Sequence, residues 1–276
     1  MSVKVRDLLW AELDSLRYEP IDKRIRGSLG DQTVVDSTRA VIVFEPKRVV
    51  PSYAVPTDDI DAELEPEQAP DATDPQAVDA PQLEGIPVFD PSIPFSVHTS
   101  EGEPLSVRAR GATREGAAFR LSDPELSDYV VLDFDSFDAW YEEDERNFAH
   151  PRDPFHGVDV VASSRPVRVE SDGEVLGESS GALFLFEPPL PVRYYLPPED
   201  VRTDLLRPSD TKTFCAYKGQ ASYWSFGDEE DLVWSYPEPL RDAAEVIGRL
   251  AFFNERVDIT VDGERLRRPR TPWSRD

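Results

Sequence analysis

The chain has 276 residues, of which 39% are hydrophobic, 10% are aromatic and 26 are prolines, and its net charge is −25. This acidic balance disfavours nucleic acids and anionic membranes as partners, because binding to phosphate depends on surplus lysine and arginine. A single cysteine, Cys215, excludes an internal disulfide and a zinc site built from several cysteines. The many prolines favour turns and short strands, so we expect a mainly β protein with a few short helices.

Residues 1–22 are predicted to contain an N-terminal helix that ends before Pro20. Its apolar side chains recur at helical spacing on one stripe: Val5, Leu8, Leu9, Leu13 and Leu16. We expect this stripe to pack on the domain that follows, with contact to a protein partner as the alternative. No apolar run is long enough to cross a bilayer, so we expect a soluble cytoplasmic protein that does not bind membranes.

Residues 65–92 are rich in proline, alanine and acidic side chains. The first eighteen of them contain no aromatic residue, leucine or isoleucine. Such a segment cannot bury enough apolar surface to offset the loss of chain entropy on folding. We therefore expect a mobile insertion within the first domain.

Two stretches of the chain, 26–64 and 168–206, match each other in order. Phe44-Glu45-Pro46 in the first corresponds to Phe186-Glu187-Pro188 in the second, and acidic Asp59 corresponds to Asp200. Matches that keep their order over nearly forty residues predict two copies of one unit.

We expect the first, degenerate copy at 23–150, a connector at 151–164 and the second copy at 165–272. In the second copy, Asp172-Gly173 predicts a hairpin and "TFCAYKG" and "ASYWSF" predict two adjacent strands. The segment "PLRDAAEVIG" (239–248) predicts a brief helix.

The second copy resembles the domain of unknown function family 427, catalogued in places as nucleotidyltransferase-like. The segments that carry the resemblance are "GALFLFE", "RYYLPPEDVRTDLLRPSDTKTFCAYKGQASYW", "VWSYPEPL" and "VDITVDGE". The resemblance implies two tandem β-tent-like units, each a twisted antiparallel sheet. The family's usual Cys-Pro-Tyr-Lys-Gly is Cys215-Ala216-Tyr217-Lys218-Gly219 here. No phosphate-binding loop motif accompanies the transferase label.

Cys215 and Lys218 are the candidate catalytic residues. A lysine ammonium near the thiol would favour the thiolate, which is the nucleophilic form of cysteine. The alternative is a buried cysteine that acts as a small apolar side chain in a packed hairpin. Residues 165–272 contain no histidine that could serve as the base.

A ligand pocket in the second copy is the second candidate site. Aromatic rings with polar groups can line a cleft, and a nearby cation can meet an anion. The alternative is that the same rings simply fill a β core. The candidate ligand residues, beside Lys218, are Tyr194, Tyr195, Arg202, Tyr217, Tyr223, Trp224 and Tyr236.

The remaining polar motifs have structural interpretations. In "HPRDPFH", His150, Asp153 and His156 could bind a metal, but two prolines make this an irregular connector, and we expect neither a metal nor a cofactor. The acidic runs 140–145 and 227–231 are typical of solvated turns. Glu187 and Asp200 recur in both copies and should cap turns or pair with an arginine such as Arg193 or Arg202.

Three functional hypotheses follow. The leading one is a binding module for a small molecule, with its site in the second copy and the first copy as scaffold. The second is an enzyme that uses Cys215 or Lys218. The third is a structural or interaction protein that contacts a protein partner through segment 65–92 and the N-terminal helix.

Overall fold

The computed structural model describes residues 2–67 and 74–275. The chain divides into two compact units, the first formed by residues up to 81 and 87–154, the second by residues 82–86 and from 155 onward. The predicted mainly β fold class is confirmed, since antiparallel sheets dominate both units. Part of the predicted insertion 65–92, residues 68–73, lies outside the described residues. No helix in the described ranges is long and apolar enough to cross a bilayer.

The N-terminal helix is shorter than predicted. α1 covers Val5–Ala11, and Val5 and Leu8 on its predicted apolar stripe are exposed. The chain turns at buried Leu13 and then continues as a strand from Arg17. A strand that pairs with a neighbour satisfies its backbone groups and buries apolar side chains, so tertiary packing overrides the helical pattern beyond residue 11.

The strands of the first unit alternate with tight turns and three single 3-10 turns. The 3-10 turns are Thr57–Asp59, Pro75–Ala77 and Phe134–Ser136. The strands are β1 (Arg17–Pro20), β2 (Ile25–Leu29), β3 (Gln32–Ser37), β4 (Val41–Phe44), β5 (Ser52–Pro56), β6 (Glu63–Pro66), β7 (Gln82–Leu83), β8 (Ile86–Pro87), β9 (Gly102–Ala109), β10 (Ala112–Leu121), β11 (Tyr129–Leu132), β12 (Ala139–Glu142) and β13 (Glu145–Asn147). Of these, β7 belongs to the second unit and β8 lies at the division.

The first unit packs two antiparallel sheets around one core. The larger sheet has the order β1-β4-β5-β11-β10-β9-β6 and the smaller one β13-β12-β2-β3. Ile42, Tyr53 and Trp140 are fully buried in this core. A Cβ on Gly27 would lie 2.8 Å from the Trp140 ring, so the glycine in β2 makes room for the tryptophan on β12.

The second unit has the same kinds of element. Its 3-10 turns are Pro198–Asp200, Thr203–Leu205 and Arg241–Val246. The last of these replaces the brief helix predicted at 239–248. The strands are β14 (Asp159–Ala162), β15 (Val167–Ser171), β16 (Glu174–Ser179), β17 (Leu183–Phe186), β18 (Arg193–Tyr195), β19 (Arg207–Cys215), β20 (Gly219–Phe226), β21 (Glu229–Ser235), β22 (Ala251–Phe252), β23 (Asp258–Val261) and β24 (Glu264–Arg265).

Three antiparallel sheets build the second unit, with the orders β16-β15-β23-β24, β14-β17-β18 and β19-β20-β21-β22. The predicted Asp172-Gly173 hairpin is confirmed, because Ser171 pairs with Glu174 and both turn residues have positive φ, 50° and 83°. The predicted strand around Cys215 and the one that follows it are also confirmed as β19 and β20.

The sheet β19-β20-β21-β22 separates two apolar clusters in the second unit. Side chains alternate between the faces of a strand, so neighbours on β20 enter different clusters. Trp224 packs with one cluster, which contains Val169, Tyr194 and Leu232. Tyr223 packs with the other, which contains Tyr195, Trp234 and Tyr236. We call these the Tyr194 cluster and the Tyr195 cluster.

Candidate functional site

The hairpin of β19 and β20 positions the first candidate residues. β19 ends at Cys215, which pairs across the turn with Gly219. Gly219 has a φ of 97°, and a Cβ on it would lie 3.1 Å from the carbonyl oxygen of Glu238, so this turn requires glycine. Cys215 is half-buried and, by the register of the two strands, shares its face of the hairpin with Ala221 and Tyr223.

A charged cluster of three side chains, His156, Glu187 and Lys218, lies beside this hairpin. Glu187 and Lys218 are only 5% and 8% exposed, and Lys218 Nζ donates a short hydrogen bond to Glu187 Oε2. His156 Nε2 lies 3.3 Å from the other carboxylate oxygen, Oε1, and its ring centroid lies 4.8 Å from that of Tyr217. The cluster forms only when the segment before β14, the end of β17 and the β19–β20 turn pack together.

The two buried charges stabilise each other. Burial alone would raise the pKa of Glu187, but the Lys218 charge and the hydrogen bonds from His156 and Lys218 lower it to about 2. Burial alone would lower the pKa of Lys218, but the Glu187 carboxylate, with smaller contributions from Cys215 and Tyr195, raises it above its ordinary value. Lys218 is therefore a fixed ammonium at neutral pH, suited to binding acceptors rather than to acting as a base or an amine nucleophile.

Acid should weaken the folded state through Glu187. The pKa of Glu187 is lower in the folded protein than its value of about 4.3 in the unfolded chain. The ionised carboxylate therefore contributes fully to the free energy of unfolding above about pH 4.3, and this contribution is lost as the pH falls toward about 2. In Glu187→Gln the free energy of unfolding should therefore decline less steeply than in the wild type between about pH 5 and 2.5. Urea unfolding at a series of pH values measures this, with Glu178→Gln as the control.

Glu178 is the control because it is an exposed carboxylate on β16, 3.0 Å from the Arg168 guanidinium. An exposed pair contributes at most about 1 kcal/mol, so Glu178→Gln should keep the wild-type acid dependence. An acid dependence of Glu187→Gln that equals that of the wild type would contradict the role given to the buried carboxylate.

Tyrosine side chains surround the charged cluster on the Cys215 side of the hairpin. Tyr195 is fully buried, and its hydroxyl accepts a 3.0 Å hydrogen bond from Trp234 Nε1. The Tyr223 hydroxyl lies 2.7 Å from the Thr213 hydroxyl. Burial raises the pKa of Tyr195, of Tyr223 and, most strongly, of Tyr236, so these phenols stay neutral and keep their O–H donors.

The predicted ligand residues do not all meet. Tyr195, Tyr223 and Tyr236 belong to the Tyr195 cluster, and buried Tyr217 contacts His156, whereas Tyr194 and Trp224 belong to the Tyr194 cluster on the other face of the sheet. Arg202 is exposed and donates to both carboxylate oxygens of Asp204, at 2.9 and 2.8 Å.

Glu187 was expected to cap a turn or to pair with an arginine such as Arg193, and its side-chain partners are instead a lysine and a histidine. Arg193 donates instead to Glu255, through two hydrogen bonds of 2.7 Å, and Glu187 receives Lys218. His156 was also missed as a member of this site, because it precedes residues 165–272. A usable signal was present, since a lysine that follows the apolar pair Ala216-Tyr217 needs a carboxylate partner if it is buried, and an acid that directly follows an apolar strand can supply one.

The other acidic and histidine motifs have local partners. Glu142, in the acidic run 140–145, accepts hydrogen bonds from Lys23 Nζ at 2.6 Å and from the Tyr53 hydroxyl at 2.7 Å. The His150 Nδ1 atom lies 2.8 Å from the carbonyl oxygen of Pro151. Within residues 2–67 and 74–275, no group of three or more histidine, cysteine or acidic side chains is placed to hold a metal ion.

Comparison with known proteins concerns the second unit. No curated protein matches the chain. A family model matches residues 159–263, a range that includes Glu187, Cys215 and Lys218 and begins just after His156. The match confirms the resemblance drawn from the sequence for this part of the chain: residues 159–263 are similar to the family described as a domain of unknown function (DUF427).

Proposed function

We propose that the second unit is a small-molecule binding module with its site beside the charged cluster. The observation that carries the proposal is the buried Lys218 ammonium, which is held by one carboxylate next to two half-exposed side chains, Cys215 and Tyr223. Lys218 interacts electrostatically with both of them. An ammonium has three N–H donors, and Glu187 engages one of them, so the cation can also bind a ligand acceptor.

The side chains near Lys218 favour a ligand that carries hydrogen-bond acceptors. Thr213, Cys215 and Tyr223 contribute two hydroxyl groups and a thiol. Together with the Lys218 ammonium they supply donors to a carboxylate, phosphate or carbonyl group, and charge-assisted bonds to the ammonium are the strongest of these. The rings of Tyr195 and Tyr236, which belong to the same apolar cluster as Tyr223, provide apolar surface next to these donors.

Equilibrium dialysis tests the binding proposal. The purified full chain is dialysed against a defined mixture of small carboxylates, phosphates and nucleotides, and retained compounds are identified by mass spectrometry. We expect Lys218→Met to abolish retention of a compound that the wild type retains, and Tyr223→Phe to reduce it. Lys212→Met is the matched control, because Lys212 is an exposed lysine on the same hairpin whose Nζ donates to Ser222. Failure to retain any compound, or equal retention by all variants, would refute the proposal.

An enzyme that uses Cys215 is the second candidate, favoured by one observation. The half-buried thiol lies near the Lys218 ammonium, in the turn that joins β19 to β20. His156, oriented by Glu187, also brings a histidine to this region.

The rate of alkylation by iodoacetamide, measured from about pH 5 to 9, distinguishes the two candidates, because Cys215 is the single thiol of the chain. Under the binding proposal we expect an accessible thiol that is slow to react below neutral pH, as it is in the urea-unfolded chain. A rate in the native protein that stays high below neutral pH would mean an accessible thiolate and would favour the enzyme. Lys218→Met should then slow the reaction.

We also propose that the two units are copies of one β-tent-like fold, with the first as scaffold. Strand registers support this: Arg26 lies opposite Asp36 between β2 and β3, and Arg168 lies opposite Glu178 between β15 and β16. Both ladders have an irregularity just after these pairs, at Gly27 and at Val169. The sheet orders β13-β12-β2-β3 and β24-β23-β15-β16 correspond strand for strand.

The equivalent carboxylates support a scaffold role for the first unit. Glu45 follows β4 as Glu187 follows β17, and His98 Nδ1 lies 2.9 Å from Glu45 Oε1. The other oxygen, Oε2, accepts from the backbone N–H groups of Thr99 and Ser100, at 2.9 and 3.0 Å. Neutral backbone donors therefore contact Oε2 of Glu45, the position that the Lys218 ammonium has at Glu187 in the second unit.

A further inference from the structure

A groove of about 140 Å³ lies in the second unit, outside the charged cluster. Its walls are mainly apolar and include Val257, Ile259 and Leu266, and three polar side chains complete the lining: Tyr194, Asn254 and Arg267. Tyr194 belongs to the Tyr194 cluster, on the face of the sheet away from Cys215 and Tyr223. At about 10–15 Å³ for each water molecule, the groove accommodates a ligand of roughly ten non-hydrogen atoms.

Arg267 gives the groove a positive charge. It is exposed, and within the described residues no acidic side chain lies at ion-pair distance from it, although the chain has 55 acidic and 30 basic residues. Its neighbours Arg265 and Arg268 are both engaged by Asp258, at 2.5 and 3.0 Å. An arginine that is not paired with a carboxylate and lies at the edge of an apolar groove is complementary to an anionic group on an apolar body.

Asn254 adds a hydrogen-bond acceptor. The side chain is only 8% exposed, and its Nδ2 donates a 2.8 Å hydrogen bond to the carbonyl oxygen of Val192, which fixes the orientation of the amide. The Oδ1 atom is shielded from solvent and has no hydrogen-bond partner among the described residues. A buried acceptor without a donor costs free energy, so a ligand O–H or N–H that reaches it would bind favourably.

We propose that this groove binds a small apolar carboxylic acid that carries a hydroxyl or amide donor. The carboxylate meets the Arg267 guanidinium, the donor meets Asn254 Oδ1, and the hydrocarbon part packs on Val257, Ile259 and Leu266. This site is independent of the one proposed beside Lys218, because the two lie on opposite faces of the sheet and have different donors and acceptors.

Titration with 2-hydroxy-4-methylpentanoate, followed by the backbone and side-chain amide signals in two-dimensional NMR of the full chain, tests this proposal. We expect saturable shifts at Asn254, Leu266 and Arg267, with a Kd in the millimolar range or tighter. Arg267→Gln should weaken binding at least about tenfold, the loss expected for a charge-assisted hydrogen bond. Arg268→Gln is the matched control and should change binding less than about twofold, since Arg268 already binds Asp258.

Ligand analogues and two further variants complete the test. 4-Methylpentanoate lacks the hydroxyl and the methyl ester lacks the charge, so each should bind more weakly. Leu266→Trp should fill the groove and abolish binding, whereas Tyr223→Phe, which removes one hydroxyl of the site beside Lys218, should leave it unchanged, which separates this site from the proposed function. The proposal is overturned by the absence of shifts up to about 10 mM probe, or by equal weakening in the Arg267 and Arg268 variants, which would indicate attraction to surface charge alone.

Discussion

Replacing Lys218 with methionine should lower the free energy of unfolding by about 3–5 kcal/mol, because the change leaves the Glu187 carboxylate buried without its counter-charge. Lys212→Met, the exposed control on the same hairpin, should change it by less than about 0.5 kcal/mol. Urea unfolding followed by tryptophan fluorescence measures both, in the transition that includes Trp224 and Trp234 of the second unit.

The double variant Lys218→Met/Glu187→Gln tests whether the stability lost in Lys218→Met is electrostatic in origin. It removes both charges, so it should recover a large part of the stability that the single change loses, since a neutral buried pair has no uncompensated charge. Additive losses in the double variant would contradict the assignment of the loss to electrostatics. They would indicate instead that methionine disturbs the packing against Tyr195 and Tyr217.

Removing the Arg193 guanidinium should lower the free energy of unfolding about as much as removing the Lys218 ammonium does. Arg193→Met should cost about 3–5 kcal/mol, because Glu255 is buried and receives two hydrogen bonds of 2.7 Å from Arg193. The guanidinium also lies over the rings of Trp234, Phe253 and Trp273, at 5.5 to 5.8 Å from their centroids. The same variant therefore loses stacking as well as charge.

Arg202→Met is the matched control for Arg193. Arg202 also forms two hydrogen bonds to one carboxylate, Asp204, but both side chains are more than half exposed. Exposed pairs of this kind contribute at most about 1 kcal/mol. Urea or thermal unfolding measures the stability that each variant loses, and because the two pairs have similar hydrogen-bond geometry, a larger loss in Arg193→Met is due to burial. Equal losses of stability in the two variants would show that burial does not decide the contribution of these pairs.

The two buried ion pairs have different relations to function. Arg193 and Glu255 are enclosed, and Thr271 donates a further hydrogen bond of 2.5 Å to Glu255, so this pair is saturated and anchors the C-terminal segment. Lys218 and Glu187 lie next to half-exposed Cys215 and Tyr223. A perturbed pair of charges next to partly exposed polar side chains is a better candidate for ligand binding than a saturated pair inside a core.

Several features of the fold follow from local sequence. Asp172-Gly173 predicted a hairpin because both residues tolerate positive φ, and the apolar residues of "TFCAYKG" and "ASYWSF" predicted two adjacent strands. Tyr223 and Trp224 lie on opposite faces of β20 because they are adjacent in one strand. These features depend on residues that are neighbours in the chain, so a short window of sequence contains the necessary information.

The composition of the candidate site was decided by tertiary structure. Glu187 is 31 residues from both His156 and Lys218, and Arg193 is 62 residues from Glu255. Local periodicity does not determine which acid pairs with which base over such separations, and the chain contains 55 acids. In the same way, the helix predicted along residues 5–16 ends at Ala11 with Val5 and Leu8 exposed, and the chain from Arg17 pairs with β4 instead.

The sequence by itself thus determined the mainly β class, the Asp172-Gly173 turn, the two strands of the Cys215 hairpin and the similarity of residues 159–263 to a family. Only the tertiary structure decided that Tyr194 and Trp224 lie apart from Tyr195 and Tyr223, and that Lys218 is buried against Glu187. The physical reason is that a buried charge is stable only where a counter-charge reaches it, and that requirement is met by packing of distant segments.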